Sequence, residues 1–187
     1  MKNVYFVGKA GAGKTYCANY LKEHYLYKTA KFAYPVYNIA YDYFNMNKEL
    51  KDRNLLQIIG TEAGREQLDN NIWVNRFLED MAIVSYASGL LGIPYHKWVL
   101  DDCRFPNEHE ALKKAGWIGI YLDVNDNIRL GRLGKRDGTK QEETLQHSSE
   151  TSVDLFKHEL IQLDCNGTLE ETYANLEVAI EHFIKEN

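Results

Sequence analysis

Cysteine is scarce in this chain. Only Cys17, Cys103 and Cys165 occur among 187 residues. Their odd number and the lack of any metal-ligand spacing exclude a disulfide framework and a zinc cluster, and they read as reduced thiols. Long apolar runs are also missing. No stretch approaches the roughly 18 residues that a membrane-spanning helix needs, and the apolar part of "MKNVYFVGKAG" is too short for a signal peptide. The expectation is a cytoplasmic protein with no membrane partner. Nor is there a surplus of positive charge: 22 Lys and Arg against 27 Asp and Glu give a formal net charge of -5. That argues against nucleic acid as a partner but leaves room for a local basic pocket. Internal repeats and low-complexity tracts are absent. What is present is an ordinary globular composition, 44% hydrophobic and 26% charged, in a chain of single-domain length.

The apolar residues fall into short runs separated by helical patterns. "NVYFV" (3–7), a weaker "AKF" (30–32), "WVL" (98–100), "WIGIYL" (117–122) and "LIQL" (160–163) are strand candidates. Lacking strict alternation, they suit strands covered on both faces. Helices are expected over 14–26 and over 72–88, the second with Trp73, Phe77, Met81 and Val84 on one face and Asn70 or Asn71 as its cap. Asn107 is expected to cap a short helix that stops before Gly116. Thr168 and Glu171 form a capping-box pattern for a last helix, whose face would be Leu169, Tyr173, Leu176, Ile180 and Phe183. Alternating strands and helices predict a doubly wound α/β fold with right-handed crossovers. Two connections, 33–96 and 124–158, are too long for plain crossovers. Such insertions suit an enzyme that encloses two substrates better than a bare motor or switch.

Four stretches carry chemistry. "GKAGAGKT" (8–15) follows an apolar strand and opens a helix, the context of a phosphate-binding loop. Gly8, Ala10, Gly11, Ala12, Gly13, Lys14, Thr15 and Tyr16 are its candidate nucleotide-binding residues; Lys14 would bridge the outer phosphates and the Thr15 hydroxyl would ligate Mg²⁺. In "WVLDDCRFPNE" (98–108) a strand delivers Asp101 and Asp102 to the carboxyl edge of the sheet, where one can hold the metal and the other orient an acceptor. Arg104 follows with a planar fork suited to phosphate. Arg129, Arg132, Lys135, Arg136 and Lys140 crowd into the glycine-rich "IRLGRLGKRDGTK" (128–140), expected as a mobile basic flap with Arg129 and Arg132 turned inward. A solvated charged helix with a loop is the plainer alternative. In the first insertion, Arg65 and Arg76 accompany a tyrosine-rich "YPVYNIAYDY" (34–43) that begins at Tyr34. Aromatic faces there could stack on a base while arginines grip one phosphate. His147 receives no chemical role, because a transfer run by positioning needs no histidine base.

Taken together these stretches resemble the deoxynucleoside monophosphate kinases of tailed bacteriophages, within the nucleoside monophosphate kinase group of P-loop kinases. The resemblance rests on "GKAGAGKT", "LLQIIGTEAGRE" followed by "WV", "DCRFPNEHEA", and "HSSE" ahead of "NGTLEE", and spans residues 3 to 177. It implies one P-loop kinase domain over 1–187: a five-stranded parallel sheet flanked by helices, a monophosphate-binding insertion near 33–96 and a lid near 124–158. It implies ATP as donor, Mg²⁺, and a (deoxy)nucleoside monophosphate as acceptor, with no covalent enzyme intermediate. Carried over by position, Lys14 and Thr15 serve ATP and Mg²⁺, and Arg65, Asp102 and Arg104 fall on the acceptor side. With the reading of the residues themselves, the candidate catalytic set is Lys14, Asp102, Arg104, Arg129 and Arg132, the metal candidates are Thr15 and Asp101, and Tyr34 and Arg76 join the acceptor side. Cys103 stands where a small aliphatic residue is more usual, and the first insertion is richer in tyrosine; neither assigns a base. Phage origin would put the protein in the host cytoplasm, and homodimerisation is left open. The rivals are a P-loop kinase for another small acceptor, such as dephospho-coenzyme A, and a nucleotide switch read by a partner.

Overall fold

The computed structural model describes residues 1–137 and 151–185. Strands β1 (Val4–Val7), β2 (Lys28–Ala30), β3 (Trp98–Leu100), β4 (Ile118–Asp123) and β5 (Ile161–Asp164) form one sheet in the order β2-β3-β1-β4-β5, every pairing parallel. All four residues of β1, "VYFV", are buried, as a central strand covered on both faces requires. The helices are α1 (Lys14–Tyr25), α2 (Tyr34–Phe44), α3 (Arg53–Gln57), α4 (Ile72–Leu91), α5 (Pro106–Lys114), α6 (Asp126–Asp137) and α7 (Leu169–Ala179). A wide π-type helix, Ile58–Leu68, follows α3, and a π-type turn, Ile180–Ile184, continues α7. None of the described helices is long and apolar enough to cross a membrane.

The chain gathers into two compact units, Met1–Ala30 with His96–Asn187, and Lys31–Tyr95. The first holds the sheet. Its core joins Val4 and Phe6 of β1, Leu21 of α1, Ile120 and Leu122 of β4, and Leu176, Ile180 and Ile184. Each such side chain contributes about 1.5–3 kcal/mol by leaving water. The second unit is helical and closes on Val36, Ala40, Met46, Ile59 and Trp73. Trp73 Nε1 donates to the Gly60 carbonyl at 2.7 Å, so the buried indole keeps a polar partner. Gly64 lets the π-type helix close on that ring: a Cβ there would stand 2.7 Å from Trp73.

Several local expectations shift. The second strand is Lys28–Ala30, because pairing with β3 begins at Lys28 against Trp98. Helix α4 runs on to Leu91 and stops where Gly92 turns left-handed at φ 61°. Trp73 and Phe77 are buried as expected, whereas Met81 and Val84 are only half-buried. Asn107 lies inside α5 and does not cap it. Pro106 opens the helix, and Glu108 Oε2 reaches back to the backbone N–H groups of Arg104 (2.6 Å) and Phe105 (3.0 Å). The capping box before α7 forms in both directions: Glu171 N–H to Thr168 Oγ1 at 3.2 Å, and Thr168 N–H to Glu171 Oε2 at 2.7 Å. The buried face of that last helix is Thr172, Leu176, Ala179, Ile180 and Ile184, leaving Leu169 and Phe183 exposed. Tyr173 stacks on Tyr20, and the wider turn after Ala179 rotates the phase that a regular 3.6 period would give.

Candidate functional site

The parallel pairing of β1 with β3 brings two separate motifs to one sheet edge. Beyond β1 the chain turns through Gly8–Gly13, closing on an Ala12 N–H to Lys9 carbonyl bond of 3.1 Å. Gly13 caps α1 at φ 103° with no side-chain partner, and no acidic residue occupies the first turn. The N-terminal N–H groups and the positive end of the helix dipole are thereby left for an anion. Lys14 Nζ folds back over the loop, donating to the Gly8 carbonyl and to the Lys9 carbonyl, the latter at 3.1 Å. Across the strand pair, Thr15 Oγ1 donates to Asp101 Oδ2 at 2.7 Å. A hydroxyl and a carboxylate so close are hard oxygen donors of the kind Mg²⁺ prefers. Asp102 and Arg104 follow in the same loop, and Glu108 pins its backbone.

Helix α6 covers the other side of the loop. A Cβ on Gly11 would come within 2.6 Å of the Arg129 carbonyl, and Leu133 is buried nearby. Residues 126–137 form a helix with Arg129 and Leu133 buried; residues 138–140 of that basic stretch lie outside the described residues. Arg129 is 8% exposed; its Nε donates to Asp126 Oδ1 at 2.6 Å, and its buried Nη1 finds no acceptor among the described residues. An orphaned buried donor beside a phosphate loop fits a nucleotide oxygen. The Arg129 bond and charge hold the Asp126 carboxyl below its ordinary range. Arg132 turns elsewhere, donating to the carbonyls of Cys165 (3.0 Å) and Gly167 (3.3 Å) at the turn before α7. Lys140 and His147, and the side chain of Arg136, lie outside the described residues.

Sequence reasoning missed the partner of the loop's other lysine. Lys9 Nζ meets Asp154 Oδ2 at 2.9 Å, and Lys157 meets Asp154 Oδ1 at 2.7 Å. Burial raises the Asp154 carboxyl, but hydrogen bonds from Lys157 and Lys9 outweigh it and hold the group low. No local spacing connects residues so far apart in sequence. Burial pushes the Cys17 thiol up to about 12 and the Cys165 thiol up to about 11.

In the Lys31–Tyr95 unit, Tyr34 and Arg76 line one cavity of about 410 Å³ together with Pro35, Asn38, Ile39, Ile72, Trp73 and Asp80. Arg65 does not line it; its Nη1 donates to the Asn70 carbonyl at 3.3 Å. The Arg76–Asp80 spacing of four on one helix face signals their ion pair, whereas the cavity beside it has no local sequence signal.

A parallel sheet with a phosphate loop after its central strand, and a carboxylate against the loop threonine, defines the fold of a P-loop kinase, a nucleotide-binding fold. The chain belongs to the AAA domain family, whose model matches residues 4–154. A protein of Acanthamoeba polyphaga mimivirus, provisionally assigned as a deoxynucleotide monophosphate kinase, is 27% identical over 91% of both chains. Among solved structures, an unliganded sugar kinase from Janibacter sp. HTCC2649 covers 97% of this chain and 93% of its own, at 18% identity and a TM-score of 0.55. A shikimate kinase from Bacteroides thetaiotaomicron covers 98% and 99%, at 14% identity and a TM-score of 0.59. These two likenesses speak for the fold alone.

Proposed function

We propose that the protein transfers the terminal phosphoryl group of ATP to a deoxynucleoside monophosphate, giving ADP and the diphosphate. The observation that carries the acceptor class is the likeness to the mimivirus protein. It extends over 91% of this chain, too much to leave out the 65-residue Lys31–Tyr95 unit. The donor half rests on the loop, the open N-terminus of α1 and the Thr15–Asp101 pair. Thr15 and Asp101 would hold Mg²⁺, which would neutralise charge on the outer phosphates.

The chain's own groups do the rest. Lys14 exchanges its loop carbonyls for phosphate oxygens. The orphaned Arg129 Nη1 donates to charge that grows during transfer. Arg104 and Arg65 grip the acceptor phosphate, and Asp102 orients it. Arg132 fixes the turn at 165–167. No step needs a covalent enzyme intermediate, because orientation and charge neutralisation supply the rate.

The test is ADP release with and without each common deoxynucleoside monophosphate. Wild type should be accelerated by at least one of them. Lys14→Ala should lose about 100- to 1,000-fold in kcat, the usual consequence of removing one preorganised donor. Arg104→Ala and Arg65→Ala should raise the KM for the monophosphate well before that for ATP. Absence of acceleration by any monophosphate would sink the reading in favour of a different acceptor or a switch.

A further inference from the structure

The cavity of the Lys31–Tyr95 unit has apolar walls and a volume of about 410 Å³, enough for a bicyclic base. Trp73 cannot swing in it, being 6% exposed and bonded through Nε1 to Gly60. Tyr34, 44% exposed, forms part of the cavity's wall. One charged pair lines this cavity. Asp80 Oδ1 sits 2.8 Å from Arg76 Nη2, and Asp80 Oδ2 accepts from Arg76 Nε at 3.2 Å. A carboxylate on the Nε–Nη2 edge leaves the Nη1–Nη2 edge of the planar fork with two parallel N–H groups. Among the described residues no acceptor takes Nη1.

Arg76, 55% exposed, thus presents a pair of donors at the cavity wall, with its other edge held and its charge matched by Asp80. That arrangement suits a neutral base better than a phosphate dianion. Guanine presents two adjacent acceptors, N7 and O6, to such a fork. Adenine and cytosine put an amino donor at that edge, and thymine places a methyl group beside O4. We propose that Arg76, oriented by Asp80, reads the N7–O6 edge of guanine, so that a guanine nucleoside monophosphate is the preferred acceptor. The proposal rests on the nucleotide-acceptor reading above and moves Arg76 from the phosphate to the base.

The experiment compares dGMP, dAMP, dTMP, dCMP and 7-deaza-dGMP, which lacks the N7 acceptor. It measures kcat/KM and, by calorimetry, equilibrium binding, for wild type, Arg76→Lys and Asp80→Asn. Wild type should prefer dGMP over the 7-deaza analogue by about tenfold, the effect of losing one bond of a charge-assisted pair. Arg76→Lys keeps the charge but not the fork, and should reduce that ratio to about twofold or less without moving the KM for ATP. Asp80→Asn, in which the fork is less well held, should fall between. An equal loss for every base and for the analogue would mean that Arg76 grips phosphate, and would overturn the proposal. A wild type indifferent to N7 would overturn it as well. If no monophosphate accelerates ADP release, yet calorimetry still shows the N7 preference and its dependence on Arg76, the base reading stands and the transferase reading falls.

Discussion

Gly11 combines a φ of 81° with a neighbour that leaves no space for a side chain. Gly11→Ala would force either the loop or the Arg129 carbonyl to move, since the new Cβ would stand only 2.6 Å from that oxygen. The left-handed conformation adds about 1–2 kcal/mol for any residue with a Cβ. ATP affinity, read by calorimetry, should fall at least tenfold, while the far-UV spectrum stays as in wild type because the strain is local; unchanged affinity would show that the loop and α6 need not touch. At this scale the sequence is readable wherever chemistry forces a spacing. The loop residues can be named from sequence because a phosphate cradle needs them in order. The strand end offers both Asp101 and Asp102, and it is the structure that puts the Thr15 hydroxyl on Asp101. The Lys9–Asp154 bond, the orphaned Arg129 nitrogen and the commitment of Arg132 to two carbonyls cannot be named from sequence either, because each depends on where a distant backbone happens to lie.

Among the elements, α7 has the most explicit start signal, and its geometry obeys it. Thr168→Ala removes the side-chain acceptor of the Glu171 N–H, and should cost about 1 kcal/mol in chemical denaturation, within the usual range for such caps. A loss below a few tenths would mean that water or Glu171 alone satisfies that end. The same helix shows where periodicity misleads. A regular 3.6 period places Phe183 inward, but the wide turn at Ile180–Ile184 rotates Ile184 into the core in its place. Helix α5 misleads for a different reason: its cap is a glutamate reaching back from within the helix, and Asn107 only resembles one. The glycines of α6 suggest a loop, whereas the segment is helical, with Leu133 and Arg129 anchoring it by burial that no local propensity records. Strand positions are legible to within a residue or two, since apolar runs buried on both faces leave little freedom.

For the molecule as a whole, alkali is the expected weakness. The Glu177 carboxylate accepts from both Tyr20 and Tyr25, and those bonds to Glu177 push each phenol up to about 12. Burial raises Tyr5 and Tyr27 as well. A group whose folded pKa lies above its unfolded value of about 10 contributes fully below that value and ceases to contribute as pH rises through the folded one. Denaturation midpoints should therefore be flat from neutral pH to about 8. They should begin to fall as pH passes the unfolded thiol value of about 8.5, because Cys17 and Cys165 are raised by burial, and fall more steeply above about 10 as the tyrosines join. In Glu177→Gln, absorbance at 295 nm should show two tyrosines ionising nearer the ordinary value of about 10, and an unchanged titration curve would refute the assignment. One architectural fact has a consequence of another kind. The Lys31–Tyr95 unit leaves the sheet after β2 and returns at β3, two strands already paired with each other. Its length can therefore change without a change in the register between those two strands. On the proposed reading, the taste for an acceptor could then drift while the handling of the donor is kept.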